Sequence, residues 1–293
     1  MQTSFLNDYA RNVTELADQL PPKIKRLYPS KPGSHPPSDA SSNFMINRNL
    51  GDWGEGLVRD SIDASTTGHF AVKYGRSGDL IAGDPQFKEK WKEYAIELFT
   101  NGKRPDVLVF SNGSYKLDTR DISESKDADI QDLVRLATLG IEVRSSNFSA
   151  KKYKRGVTSK FDTLTFTVKI EDIPLIVRWV QRTGVPHMYL QVPIDDTYAM
   201  GFEKALGIMV HGKEGIDYIV DKPSKSGKPT VRVPFTHGKH VGDIVGGPTL
   251  IPTRKDYPNG RVVFAVAFKD GKLAPEATTW NEIISNAERL KSS

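Results

Sequence analysis

From residue 4 to 20 the apolar positions Phe5, Tyr9, Val13, Leu16 and Leu20 recur at spacings of three and four, which predicts an amphipathic helix ended by Pro21-Pro22. The same period marks helices over 87–100, with Trp91, Tyr94, Ala95 and Leu98 on one face, and over 127–139, capped by Asp127 and stopped at Gly140. Further helices are predicted over 171–184 and 196–206, and the stretch TTWNEIISNAERL closes the chain as another. The run Gly51-Asp52-Trp53-Gly54-Glu55 opens a helix whose first turn carries acids that suit its N-terminus. Between these segments, runs rich in Val, Ile, Leu and Phe over 104–110, 140–146, 163–169 and 186–193 read as strands, with a hairpin-like stretch over 69–79.

Strand and helix alternate from residue 163 to 206, which argues an α/β core whose strands are covered on both faces. Beyond residue 206 the pattern changes to short strands broken by glycine and proline, among them VRVPF, GDIVGG and RVVFAVAF. The expected organisation is an N-terminal helix and basic Pro/Ser-rich arm (1–43), a core domain (44–206) and a β-rich extension (207–293) serving recognition or dimerisation. Trp53, Trp91 and Trp179 fall on helix faces with other apolar residues and are expected in the core.

Composition narrows the chemistry. With 38% hydrophobic residues the chain can bury a real core. No apolar run approaches the roughly 18 residues of a membrane span, and the start MQTSFLNDYARNV lacks the pattern of a signal peptide, so a cytoplasmic location is expected. The absence of cysteine removes disulfides, thiolate zinc sites and cysteine nucleophiles together. The six histidines form no HExxH or HxH pattern, so a bound metal would have hard oxygen ligands and would be Mg2+, with Mn2+ able to substitute. A net charge of +5 says little by itself, but Lys151, Lys152, Lys154 and Arg155 form a cluster suited to phosphate contacts.

Two acids sit on apolar, strand-like runs, Asp106 in Arg-Pro-Asp-Val-Leu-Val-Phe and Glu142 in Gly-Ile-Glu-Val-Arg. An ionised carboxylate there is costly unless a cation compensates it. Glu142 and Arg144 share one face of their strand. If Asp106 lies at the end of the adjacent strand, its carboxylate, that of Glu142 and the carbonyl of Val143 supply protein ligands for a magnesium ion. Arg144 would then stabilise charge on a phosphate. It cannot lose its proton, so proton removal falls to another group, for which Lys169 is the candidate. The structural alternatives are a turn cap at Asp106 and an ion pair between Glu142 and Arg144.

A helix acid, then Pro-Asp, then Glu-x-cation on a strand resembles the PD-(D/E)xK nuclease superfamily, and residues 48–206 are similar in layout to type II restriction endonucleases of the AccI kind. The resemblance implies a restriction-endonuclease-like core with a mixed central sheet flanked by helices. It matches Asp106 and Glu142 to the metal-binding acids and Glu55 to an auxiliary metal ligand. Arginine stands at 144 where the superfamily has lysine, which leaves open whether Arg144 or Lys169 fills the catalytic cation role. Gln191 and Tyr198 lie on the following strand and helix and have core and cap roles as their default. The implied activity is Mg2+-dependent hydrolysis of double-stranded DNA at specific sites, leaving 5′-phosphate and 3′-hydroxyl ends, by a homodimer on palindromic targets. The alternatives are a structure-specific repair or recombination nuclease and a non-cleaving DNA-binding protein.

Overall fold

The computed structural model describes residues 7–29, 41–76, 82, 85–153, 163–222, 228–257 and 260–292. Lys154 and Arg155 of the basic cluster, and residues 30–40 of the proline- and serine-rich arm, lie outside the described residues. The helices are α1 (Asp8–Gln19), α2 (Pro22–Lys25), α3 (Ser42–Ser65), α4 (Phe87–Asn101), α5 (Asp127–Leu136), α6 (Ile173–Thr183), α7 (Phe202–His211) and α8 (Thr279–Ser292). The strands are β1 (His69–Lys73), β2 (Val107–Ser111), β3 (Leu139–Ser145), β4 (Thr165–Lys169), β5 (His187–Val192), β6 (Asp196–Gly201), β7 (Ile219–Asp221), β8 (Thr230–Pro234), β9 (Lys239–Val245), β10 (Thr249–Asp256), β11 (Val262–Lys269) and β12 (Lys272–Pro275).

Seven strands form a mixed central sheet in the order β1-β2-β3-β5-β6-β9-β12, in which β3 and β5 are parallel and the other pairs antiparallel. Side chains alternate across it as the pleat requires. Leu108, Phe110 and Tyr189 join Tyr9, Val13 and Trp179 in one apolar layer, while Val107, Val109, Ile141, Val143 and Leu190 join Leu57, Ile62 and Trp280 in the other. Helices thus cover both faces, which is why the central strands read as continuous apolar runs. The tail strands β9 and β12 complete this sheet, β4-β8-β7 forms a small second sheet, and β10-β11 is a two-stranded ribbon. Among the described residues no helix is long and apolar enough to cross a membrane.

Several expected elements change identity. The segment 196–206 is half strand, because Thr197 to Met200 extends β6 between β5 and β9 and Gly201 starts α7. Tyr198 is therefore a strand residue, stacked on Phe235 at 4.2 Å. The helix expected to open at Gly51 begins at Ser42, where the Ser41 hydroxyl accepts the Phe44 N–H at 3.1 Å. Its interior Gly54 lets β3 approach, since a Cβ there would lie 2.1 Å from Ser145 Oγ. Asp127 does not cap α5. It is buried, and accepts hydrogen bonds from Tyr74 Oη at 2.8 Å and Arg182 Nη1 at 2.6 Å. That helix stops at Leu136, short of the expected end. In the described part of the 69–79 stretch, β1 pairs with the distant β2 and not within the stretch itself. Trp53 and Trp179 are buried, but Trp91 is half-buried against Phe87 and Tyr94.

Gly102 ends α4 with φ at +87° and ψ at −176°, a region open to little but glycine. A Cβ there would meet the Leu175 carbonyl oxygen at 2.3 Å and the Trp179 nitrogen at 2.5 Å, and neither backbone atom can move alone. Gly102→Ala is expected to destabilise the fold by about 2 kcal/mol, read from urea unfolding. It should also disturb Lys103, whose N–H bonds the same Leu175 carbonyl at 3.1 Å.

Candidate functional site

Strand pairing brings the two acids together. The β2–β3 register sets Val107 opposite Ile141 and Leu108 opposite Gly140, so one step beyond its end Asp106 stands opposite Glu142. Three hydrogen bonds fix Asp106: its carbonyl accepts N–H groups of Tyr74 and Gly75 at 2.9 and 3.1 Å, and its Oδ2 accepts the Val143 N–H at 2.7 Å. Because Asp106 precedes Leu108 and Phe110 by even steps, its side chain lies on the sheet face that carries Glu142 and Arg144.

Cations surround these acids. Lys103 Nζ bonds Glu142 Oε1 and, at 2.8 Å, Asp172 Oδ2. Arg144 Nη2 lies 2.9 Å from Glu142 Oε1 and 2.6 Å from Asp172 Oδ2. Asp172, in the turn just before α6, therefore binds the same two cations that Glu142 binds. Gln191, opposite Arg144 on β5, donates to the Arg144 carbonyl and to Ser146 Oγ, both at 2.9 Å, and so orients the end of β3.

Charge and burial divide the acids. Burial raises the Asp106 carboxyl to about 7, with the nearby Glu142 charge adding to the effect. Burial would raise Glu142 too, but Lys103 and Arg144 outweigh it and hold this carboxyl below the ordinary range. Asp172 is likewise held low by Lys103 and Arg144 against the pull of burial. Glu55 on α3 rises to about 9, chiefly by burial and then by the Asp106 charge. The Lys169 ammonium is pulled down to about 8, first by Arg144 and then by burial.

Raised folded-state values mean that the native protein holds protons that the unfolded chain releases, so stability falls as pH rises between the two values. For Asp106 the window runs from its ordinary 3.8 to about 7. Denaturation in EDTA across this range is expected to show stability decreasing with pH, and less steeply in Asp106→Asn. Equal slopes in the two proteins would mean that Asp106 ionises freely.

Glu55, Asp106, Glu142, Val143, Arg144 and Lys169 all line one cleft of about 1040 Å³. Lys103 and Lys152 line it as well. Lys151 turns away to pair with Asp243 at 3.0 Å.

The family described as AccI restriction endonuclease matches residues 7–163 and 156–288 of this chain. The chain belongs to the AccI restriction endonuclease family. Comparison with curated proteins and with solved structures returns no match. As a member of this family it is a restriction enzyme, a hydrolase that cleaves DNA.

In this AccI-family chain the cleft suits a hard divalent cation on one specific ground. Glu142 Oε2 is buried without a hydrogen-bond partner among the described residues, and Asp106 and Glu55 bring further carboxylates, hard oxygen ligands, to the lining of the same cleft. Among the described residues, the one group of three such side chains that meets ligand spacing lies elsewhere: Asp196, His240 and Asp243 place one ligand atom each within 4.8 Å of one another. There, however, His240 already bonds Asp196 Oδ1 through Nε2 at 2.6 Å and Glu276 Oε1 through Nδ1 at 2.9 Å. Burial opposes its charge, but the hydrogen bonds to Glu276 and Asp196 prevail and raise its pKa. Both imidazole nitrogens of His240 are thus engaged by carboxylates, which ties β6 to β9 and sets these hydrogen bonds in competition with a metal for the ring nitrogens.

Sequence reasoning missed Lys103 and Asp172. Lys103 stands three residues before Asp106 and Asp172 three after Lys169, so both flank residues already singled out. Only the fold shows that they share an ion cluster.

Proposed function

We propose that this protein is a Mg2+-dependent, sequence-specific endonuclease that hydrolyses both strands of duplex DNA to 5′-phosphate and 3′-hydroxyl ends, acting in the cytoplasm as a homodimer on two-fold symmetric targets. The core is read as a PD-(D/E)xK fold. The observation that carries the proposal is the convergence of Asp106 and Glu142 from paired strands, beside Lys103, Arg144 and Lys169, in one cleft of a restriction-endonuclease family member.

Asp106, Glu142 and the Val143 carbonyl would hold the magnesium, with Glu55 as auxiliary acid; Mn2+ should substitute. When bound, the ion would polarise a phosphate oxygen and acidify a water. Arg144, anchored by Asp172 and Glu142, sets a fixed cation against the charge that builds on the phosphate. Lys169, with its pKa near 8, is partly neutral at working pH and takes the proton of the attacking water. Lys152, Lys154 and Arg155 hold backbone phosphates, joined by Lys151 when it exchanges Asp243 for a phosphate, so binding should weaken as salt rises.

Incubating the protein with plasmid or phage DNA in Mg2+, in Ca2+ and in EDTA tests this directly. Discrete fragments only with Mg2+ are expected. A smear would point to a nonspecific or structure-directed nuclease, and intact DNA across several substrates would sink the cleavage reading.

The proton-transfer role has its own test. The cleavage rate should rise with pH through about 8 as Lys169 loses its proton, and that limb should vanish in Lys169→Met. An unchanged pH profile in the variant would assign the proton to another group.

A further inference from the structure

Below the cleft the same sheet face carries polar atoms with no counterpart. In the parallel β3–β5 pair Glu142 is in register with Tyr189, and Gly140 with His187, so the two β5 side chains lie beside and beneath Glu142. Both are almost fully buried, His187 and Tyr189 each at 1% exposure, and Glu142 is at 2%. Rings enclose His187, with Trp179 at 6.0 Å, Tyr189 at 5.6 Å and Phe202 at 5.5 Å between centroids. Among the described residues four atoms of this layer lack any hydrogen-bond partner: Glu142 Oε2, Tyr189 Oη, and His187 Nδ1 and Nε2. The buried Arg144 Nε, two strand positions from Glu142 and on the same face, is a fifth.

One unpartnered atom is a local imperfection. Several on one strand pair, clustered under one carboxylate, are a different matter, because each carries the full desolvation cost of a buried polar group. Their inventory is complementary. Glu142 Oε2 only accepts, Arg144 Nε only donates, the Tyr189 hydroxyl does both, and a neutral His187 ring brings one donor and one acceptor. This is the mixed lining that holds ordered internal water, which needs two to four polar partners. An apolar layer would need none of it, and β5 has phenylalanine and tryptophan rings packed around it already.

We propose that Tyr189 and His187 are positioning residues for Glu142, joined to its Oε2 by buried water that fixes the carboxylate from beneath. A carboxylate oxygen has two lone pairs. One taken from below leaves the other directed to a cation in the cleft, while Lys103 and Arg144 hold Oε1. Outer partners of this kind set the orientation and basicity of a metal-binding group. The inference rests on the reading of Glu142 as a metal-holding acid, and it extends the site from the cleft wall to the core layer behind it.

The test uses the full chain carrying Tyr189→Phe, His187→Phe or His187→Gln. Three quantities are read: Mn2+ binding by calorimetry without DNA, thermal unfolding in EDTA, and the Mg2+ concentration for half-maximal plasmid cleavage. Tyr189→Phe and His187→Phe are expected to weaken Mn2+ binding about tenfold and to raise the Mg2+ requirement by the same factor, with no gain in Tm. His187→Gln, which restores a donor and an acceptor, should recover most of the loss. Unchanged Mn2+ affinity together with a raised Tm in Tyr189→Phe would overturn the proposal, since deleting a truly lone hydroxyl relieves a cost and touches nothing else. Should His187→Phe fail to fold, Tyr189→Phe decides alone, because it keeps the ring and removes one atom. A wild-type protein that binds Mn2+ and cuts, beside variants that match it, would end the positioning role only. A wild-type protein that neither binds Mn2+ nor cuts would end the metal reading, and this inference with it.

Discussion

Asp106→Ala and Glu142→Ala are expected to lower the DNA cleavage rate by about 10³-fold or more while leaving DNA binding in Ca2+ close to wild type. The magnitude follows from the several kcal/mol that a positioned divalent cation supplies to a phosphoryl transition state, about 4 kcal/mol corresponding to three decades. Binding should survive because the proposed phosphate contacts are lysines and arginines outside the two acids. The two variants should differ in stability. Glu142→Ala strips Lys103 and Arg144 of a shared buried partner, whereas Asp106→Ala removes an acid that burial already keeps partly protonated near neutral pH. Single-turnover cleavage alongside a gel-shift titration checks the first claim, and urea unfolding checks the second. Cleavage within tenfold of wild type in either variant would show that the acids do not hold the metal.

Asp172→Ala is expected to cost about 3–5 kcal/mol of unfolding free energy, because it leaves two buried cations facing one remaining carboxylate. The pH dependence carries the sign. Lys103 and Arg144 hold the folded Asp172 below its ordinary 3.8, so its contribution is complete above that value and disappears as pH falls through the depressed one. The difference between wild type and variant should therefore be full at pH 7 and shrink in strong acid. Cleavage should fall as well, since Arg144 loses the partner that fixes its guanidinium. A loss under 1 kcal/mol at pH 7 would mean that the cluster is solvated and behaves as a surface ion pair.

What could be read in the sequence was local. The 3.6-residue spacing of Tyr9, Val13 and Leu16 and the apolar runs around Asp106 and Glu142 correspond to α1, β2 and β3, because each side chain's periodicity records which face it buries. The segment 196–206 misled because Thr197 to Met200 and Phe202 to Leu206 are both mostly apolar, and so short a run carries no decisive period. Its strand half exists through a hairpin with β5 and through pairing with β9, and the position of β9 far along the chain gives no hint of proximity. Likewise Gly51, Gly54 and Gly56 read as a helix start, since glycine disfavours a helix interior; the close approach of β3 to Gly54 is a tertiary reason for one of them.

By itself the sequence determined the chemical inventory of this protein: two acids on buried strands, a cation two residues after the second, no cysteine, and a pattern that places the chain among AccI-type restriction endonucleases. Only the tertiary structure decided how those groups act on one another. It set Asp106 opposite Glu142 through strand register, brought Lys103 and Asp172 into their ion cluster from the loop after α4 and the turn before α6, and laid His187 and Tyr189 beneath Glu142. The physical reason is range. Hydrophobic period and capping are written within a few neighbouring residues, whereas charge coupling and burial depend on distances in space, which arise only when strands far apart in the chain pair.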